Sequence, residues 1–348
     1  MRQHAVYVHR LCTILCYGIL LRAAPAEAVI VTGTQGNNTT APTDPALAER
    51  WGQVGLFRPG GGVGFLGTPI APNLFITAKH VAGKVGDTFT LSGSTFSTVA
   101  MFKDPASDLA IWQVAGTFSP GWIVPLYTTG TVAARAEMFI LGVGSARGPE
   151  VTGTAYGGGT ELKGWKWGDY NSASPVLSWG TNNLDAVESI SGAGLQLVYS
   201  FSKGISDNEA TLGYGDSGGP VFIQQGGVWS LAGINYGVNA QFNTTDSGGG
   251  FYAAIFDVGG LYEPSNGSWV YQTPTLVTSP AYAASTSTTA RISWINDVMV
   301  SVPEPHTVTM LIIAALFIPL LQTTRAAGPV ARALAAPPAH ERSPTPAR

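Results

Sequence analysis

Between residue 29 and roughly residue 300, apolar residues fall in short runs separated by clusters of Gly, Pro, Asn and Ser. The runs at 62–70, 74–77, 88–91, 109–114, 138–143, 195–199, 221–223, 229–234 and 251–256 predict β-strands. One stretch has a different period. Over 290–300, Ile292, Ile295 and Val298 recur every third residue, which predicts a helix. Residues 273–289, rich in Thr, Ser, Ala and Pro, read as a loop leading into that helix. Many short strands with Gly-rich turns imply an all-β sandwich or barrels, and no repeat of fixed period interrupts the pattern.

Composition sharpens this picture. Charged residues make up 11% of the 348-residue chain, against roughly 25% in an average soluble domain. With abundant Gly, Ser and Thr, this points to an extracellular β protein. The formal net charge is −3. No basic stripe interleaved with aromatics is present, so no nucleic-acid partner is expected. The two cysteines, Cys12 and Cys16, both lie near the N-terminus, so the folded part is expected to contain neither a disulfide nor a cysteine metal site, and no cofactor or metal is expected.

The ends read as addresses. Arg2 and Arg10, the apolar stretch 11–21 and the small-x-small triplet Ala26-Glu27-Ala28 predict a signal peptide over 1–28, cleaved after Ala28, with an uncleaved anchor as the alternative. Residues 29–300 form the working domain. Residues 301–325 hold Val302-Pro303-Glu304-Pro305, the apolar run 308–321 and Arg325. That run is short for a stable span, which needs about 20 residues, and Pro319 interrupts it. Residues 326–348, rich in Ala, Pro and Arg, read as a disordered tail.

Five histidines are present: His4, His9, His80, His306 and His340. Only His80 falls within 29–300, so any histidine base is His80, at the end of a predicted strand. Ser217 lies in Gly215-Asp216-Ser217-Gly218-Gly219-Pro220. Its flanking glycines allow a tight turn and close approach of a substrate, and the N–H groups of Gly215 and Ser217 can point at one spot as an oxyanion hole. Gly-x-Ser-x-Gly also marks the nucleophile elbow of α/β-hydrolases, where a histidine follows the serine; here no domain histidine does. Asp108 opens the apolar run 109–114 and is the candidate group to orient the imidazole, with Asp104 as its rival.

These segments resemble the chymotrypsin-like serine proteases. Thr77-Ala78-Lys79-His80 is similar to their Thr-Ala-Ala-His, Asp108-Leu109-Ala110-Ile111 to their Asp-Ile-Ala-Leu, and Gly215–Pro220 to their nucleophile motif. Ala232-Gly233-Ile234-Asn235-Tyr236-Gly237, Gly250-Phe251-Tyr252 and Ile292-Ser293-Trp294-Ile295 resemble further family segments in the same order. The resemblance implies two six-stranded antiparallel β-barrels with a C-terminal helix and the site between the barrels. It implies a catalytic set of His80, Asp108 and Ser217, with Gly215 and Ser217 N–H groups as the oxyanion hole. By position it puts Thr211 at the floor of the substrate pocket, with Asn235, Tyr236, Gly237 and Gly250 around it. With no carboxylate at Thr211, a preference for Arg or Lys is not expected, and an apolar residue before the scissile bond is. Val81 stands where the family often has a cysteine. Lys79 replaces a small residue, its ammonium turned either inward or to solvent.

Two further expectations follow from resemblance. The Pro-Glu-Pro segment with its apolar run and basic residue resembles the PEP-CTERM sorting signal of Gram-negative bacteria. This implies an exported protein of the periplasm, cell surface or extracellular matrix, an exosortase-type sorting partner and transient membrane association. Cleavage after Ala28 would expose Val29-Ile30-Val31-Thr32-Gly33, similar to the family's Ile-Val-Gly-Gly end. Its ammonium would then pair with Asp216, unless Asp216 is held by internal donors. The expected activity is hydrolysis of a protein or peptide substrate by a serine endopeptidase. An inactive binding or adhesion module on the same fold, and an esterase using the same residues, remain as alternatives.

Overall fold

In the computed structural model, residues 28–34, 36–128, 130–170 and 173–302 are described. Most of the proposed signal peptide, the Pro-Glu-Pro segment from residue 303 and the tail lie outside the described residues. All described residues belong to one unit ending at Val302.

Strand β1 (Ile30–Val31) and helix α1 (Pro45–Trp51) lead into the first barrel. Helix α1 has no apolar periodicity long enough to announce it. It begins because Asp44 Oδ1 accepts the N–H groups of Ala46 (2.8 Å) and Leu47 (3.1 Å), with Pro45 in the first turn. The barrel comprises β2 (Gly55–Arg58), β3 (Phe65–Ala71), β4 (Leu74–Ala78), β5 (Thr88–Leu91), β6 (Ser94–Lys103) and β7 (Leu109–Val114). It closes in the order β2-β3-β4-β7-β6-β5. Phe57, Phe75, Phe89 and Trp112 fill it, with Phe75 and Phe89 stacked at 4.2 Å between ring centroids.

The second half differs from the expected second barrel. Its strands are β8 (Glu137–Gly142), β9 (Arg147–Thr154), β10 (Thr160–Trp167), β11 (Ser178–Asn183), β12 (Ala186–Ile190), β13 (Gly194–Ser200), β14 (Ala210–Thr211), β15 (Pro220–Gln225), β16 (Val228–Val238), β17 (Gln241–Phe242), β18 (Phe251–Ile255), β19 (Tyr262–Ser265), β20 (Ser268–Tyr271) and β21 (Tyr282–Ser287). Seven form an open sheet in the order β11-β8-β15-β16-β21-β13-β12, and a separate four-stranded sheet runs β17-β18-β10-β9. Among the described residues only the first barrel is closed. Helix α2 (Ile292–Ser301) follows β21 and buries Ile295 and Val298. The chain is thus mostly β, with a C-terminal helix where the three-residue spacing predicts it.

One continuous apolar core joins the halves. It runs from Phe57, Phe75 and Trp112 through Phe139, Leu141, Phe222 and Ile234 to Ile295 and Val298. Burying so much shared surface fixes the barrel against the seven-stranded sheet, and thereby the cleft between them. The four-stranded sheet is pinned by Lys163, whose Nζ donates to Asp257 (2.5 Å) and Glu161 (2.6 Å). Burial opposes the ammonium, but the two carboxylates outweigh it and hold Lys163 above its ordinary range. No described helix is long and apolar enough to cross a membrane.

Candidate active site

Strand register brings His80 and Asp108 together. Ala78 ends β4 opposite Leu109, which begins β7, so the residues just outside this pair are neighbours. His80 lies in a single 3₁₀ turn, Lys79–Val81, directly after β4. The Asp108 carbonyl accepts the Lys79 N–H (2.9 Å), and Asp108 Oδ1 accepts the His80 N–H (3.0 Å). The other carboxylate oxygen lies 2.6 Å from His80 Nδ1, and His80 Nε2 lies 2.8 Å from Ser217 Oγ. Asp108 is 5% exposed. With Nδ1–H donating to this carboxylate, Nε2 carries the lone pair that faces the serine hydroxyl.

Asp104, the rival carboxylate, is turned elsewhere. It is fully buried and takes both Arg291 Nε (2.6 Å) and a terminal Arg291 nitrogen (2.7 Å), with Ser107 Oγ at 2.5 Å. Burial by itself would raise its pKa, but the bonds from Arg291, Ser107 and the Ala106 N–H outweigh burial and hold it below the usual range. Lys79 does not reach for solvent. Its Nζ donates to the carbonyl oxygens of Asp104 (2.9 Å) and Ser107, so an ammonium braces the loop that carries Asp108.

Ser217 sits on a turn held from below by Asn235. Asn235 Nδ2 donates to the carbonyls of Leu141 (2.9 Å) and Asp216 (3.2 Å), and its main chain exchanges bonds with Gly218 and Gly219. Asn235 is fully buried, so it supports the nucleophile turn and does not line the pocket assigned to it by resemblance. Gly215 adopts φ +95, and a Cβ there would come within 2.8 Å of the Tyr170 ring. Only glycine satisfies both constraints. Among the described residues the N–H groups of Gly215 and Ser217 have no protein acceptor. Tyr170, whose hydroxyl donates to the Gly64 carbonyl, packs under this spot. Burial and the nearby Asp216 push its pKa up to about 12.

Asp216 is wholly internal. Burial pushes its pKa up to about 6, against hydrogen bonds from Gly213 N–H (2.7 Å), Gly144 N–H (2.8 Å) and Val29 N–H (3.4 Å). Both donors considered from sequence therefore converge on it: internal N–H groups, and the residue that would begin a chain cleaved after Ala28. Val29 itself has φ +36, a strained value for a β-branched residue.

A cleft of about 640 Å³ opens at Ser217, walled by Phe65, Val81, Trp167, Tyr214, Val238 and Tyr252. Trp167 and Tyr252 stack at 5.2 Å and 18°. Neither was expected as a site residue. The only sequence sign is the pair of tryptophans in Gly164-Trp165-Lys166-Trp167. Regular alternation would put both on one face, but β10 is irregular between them, and Trp165 packs in the core while Trp167 reaches the cleft. Gly237 lines the cleft as expected. Tyr236 meets the imidazole edge-on at 5.7 Å and lines a neighbouring cleft. Like Asn235, two further residues assigned to the pocket lie outside it. Thr211 is buried in β14, paired with Ile30, and does not line the cleft; Gly213, two residues on, does. Gly250, just before β18, packs against the Trp269 ring of β20 and does not line the cleft. The strand that pairs with β16 and precedes the helix is β21. Among the described residues no three His, Cys, Asp or Glu side chains gather as a metal site.

No protein-family model and no curated protein matches the chain. Among solved structures, an inactive serine-to-alanine mutant of Rv3671c from M. tuberculosis H37Rv is similar at 17% identity and a TM-score of 0.37, over 65% of this chain and 91% of that one.

Proposed function

We propose that this chain is a serine endopeptidase that hydrolyses peptide bonds through an acyl-enzyme on Ser217. The observation that carries this reading is the relay of contacts from Asp108 Oδ2 to His80 Nδ1 (2.6 Å) and from His80 Nε2 to Ser217 Oγ (2.8 Å). In the proposed reaction His80 Nε2 takes the hydroxyl proton as Ser217 Oγ bonds to the carbonyl carbon. The carbonyl oxygen becomes an oxyanion facing the free N–H groups of Gly215 and Ser217. The imidazolium then gives its proton to the leaving amine as the C–N bond breaks. Water repeats the sequence on the acyl-serine, with His80 as base and Ser217 as leaving group. Asp108 fixes the tautomer and stabilises the imidazolium.

The cleft at Ser217 is walled by aromatic and aliphatic side chains, and no carboxylate lines it. This supports a large apolar residue before the scissile bond. The test compares wild type with Ser217→Ala on a denatured protein, sequencing the fragment ends. Ends dominated by Arg or Lys would overturn the pocket assignment. Ester hydrolysis without peptide cleavage would select the esterase reading.

We also propose that cleavage after Ala28 completes the site. In the intact chain Asp216 is a buried carboxylate whose hydrogen-bond donors among the described residues are main-chain N–H groups, and the Val29 N–H is one of them. Cleavage turns that N–H into an ammonium at the same place and removes the torsion that holds Val29 at φ +36. Export by the signal peptide, and sorting through the Pro-Glu-Pro segment, rest on the sequence of the two ends. Adding one residue before Val29 tests the ammonium: full activity of that form would exclude it.

A further inference from the structure

The cleft at Ser217 does not end at His80. A second cleft of about 560 Å³ shares His80, Gly237 and Val238 with it and extends to Asn239 and Tyr282. A third, of about 360 Å³, shares Asn239 and Tyr282 and ends at Glu263, Pro264 and Val270 on the β19–β20 hairpin. The shared residues make one groove, and its wall is the end of β16 from Tyr236 to Val238 with Asn239 just beyond. A substrate whose apolar side chain enters the Ser217 cleft along Gly237 and Val238 sends the preceding part of its chain towards Asn239. An extended chain advances ~3.3 Å per residue, so the three steps from Tyr236 to Asn239 span about 10 Å. With the residue in the Ser217 cleft counted as the first, three steps bring the fourth to Asn239, and Glu263 just beyond it meets the fourth or fifth position before the scissile bond.

Glu263 is the one carboxylate that lines any of these three clefts. Asn239 Nδ2 donates to its Oε1 at 3.0 Å, which orients the carboxylate over the end of the groove. Among the described residues no Lys, Arg or His lies within ion-pair distance of it. We propose that Glu263 and Asn239 form a distal subsite that takes a cationic side chain of an extended polypeptide, about four or five residues before the bond that is cut. The subsite rests on the serine endopeptidase reading. It adds an electrostatic preference remote from a chemically apolar pocket, carried by a hairpin outside both large sheets.

The test uses peptides identical except for Lys, norleucine or Glu at the fourth or fifth position before the scissile bond. Wild type should favour Lys over norleucine at one of these positions by about three-fold in kcat/KM, the scale of a solvent-exposed ion pair. The ratio should shrink towards one at ~1 M salt. Glu263→Gln should abolish the ratio, and Glu263→Lys should turn it in favour of Glu. Ratios are taken within each variant, so a lower yield of folded protein cancels. A fluorophosphonate run on wild type separates the two layers. If Ser217 is labelled and no position shows a Lys preference, or if the preference survives in Glu263→Lys, the subsite is overturned and the peptidase reading stands. If Ser217 is not labelled and no peptide is cut, the peptidase reading falls and the subsite with it.

Discussion

The barrel holds its site residues by strand register, whereas the second half holds Ser217 by side chains. His80 and Asp108 flank the β4–β7 pair, and two hydrogen bonds from the Lys79–His80 main chain fasten Asp108 to that turn. Ser217 lies on a turn between β14 and β15, supported by Asn235, Tyr170 and the buried Asp216. A closed barrel has no edges to slip, so its two residues are fixed once the sheet forms. An open sheet with a side sheet attached leaves the nucleophile turn dependent on a few polar contacts. The difference predicts which substitutions act on chemistry alone and which act through structure.

The largest effect should come from the reacting groups. Ser217→Ala or His80→Ala should each lower kcat by about 10⁶-fold while leaving the unfolding midpoint nearly unchanged. Next come the two carboxylates of one loop, which should separate cleanly. Asp108→Asn should cost about 10⁴-fold in kcat with little loss of stability. Asp104→Asn should cost about 3 kcal/mol of stability, because it strips a buried partner from Arg291. Urea unfolding beside steady-state kinetics reads both. Equal effects of the two substitutions would erase the distinction drawn between reacting and bracing groups.

The polar support of the second half has a pH signature. Asp216 is pushed up to about 6 and Glu209 up to about 7, in both cases mainly by burial. Between about pH 4 and 7 the folded chain holds protons on these groups that the unfolded chain has released. A form that retains Ala28 should therefore lose stability as pH rises through that window, by roughly 3 kcal/mol from Asp216 alone. In a form beginning at Val29 the ammonium would favour the ionised Asp216, and the fall should be smaller. Thermal melts of both forms from pH 4 to 7.5 make the comparison; identical slopes would remove the ammonium from the account.

The smallest effect concerns the cleft wall. Trp167→Ala should reduce kcat/KM for a large apolar residue by about ten-fold, mostly in KM, since it removes uniform binding contacts and half of an aromatic pair. Labelling of Ser217 by a small reagent gives the matching control for folding.

Much of the barrel was legible because its strands alternate or are wholly apolar. The runs at 88–91 and 109–114 coincide with β5 and β7. β6 gives no clear strand signal, since Ser94–Lys103 is exposed along much of its length and has few apolar residues facing inward. β21 reads as loop from the sequence for the opposite reason. Tyr282–Ser287 lies inside the sheet, paired with β13 and β16, but its buried positions carry Ala, Ser and Thr, which leave no apolar run to read. The resemblance of Gly250-Phe251-Tyr252 falls on the start of β18 in the side sheet, whereas the strand beside β16 is β21. The residues proposed to react stand out in the sequence because chemistry restricts them to few types: one histidine within 29–300, one Gly-x-Ser-x-Gly serine, and an aspartate at a strand mouth. The braces were not. Lys79 and Asn235 are ordinary residues until the fold shows which carbonyls they meet.

In the proposed reaction His80 activates Ser217. This is tested most directly by treating wild type and His80→Ala with a fluorophosphonate and mapping the adduct by mass spectrometry. One adduct on Ser217 in wild type, and none at equal exposure in His80→Ala, is the predicted result. A wild-type Ser217 that stays unmodified, or one that reacts equally fast without His80, would contradict it.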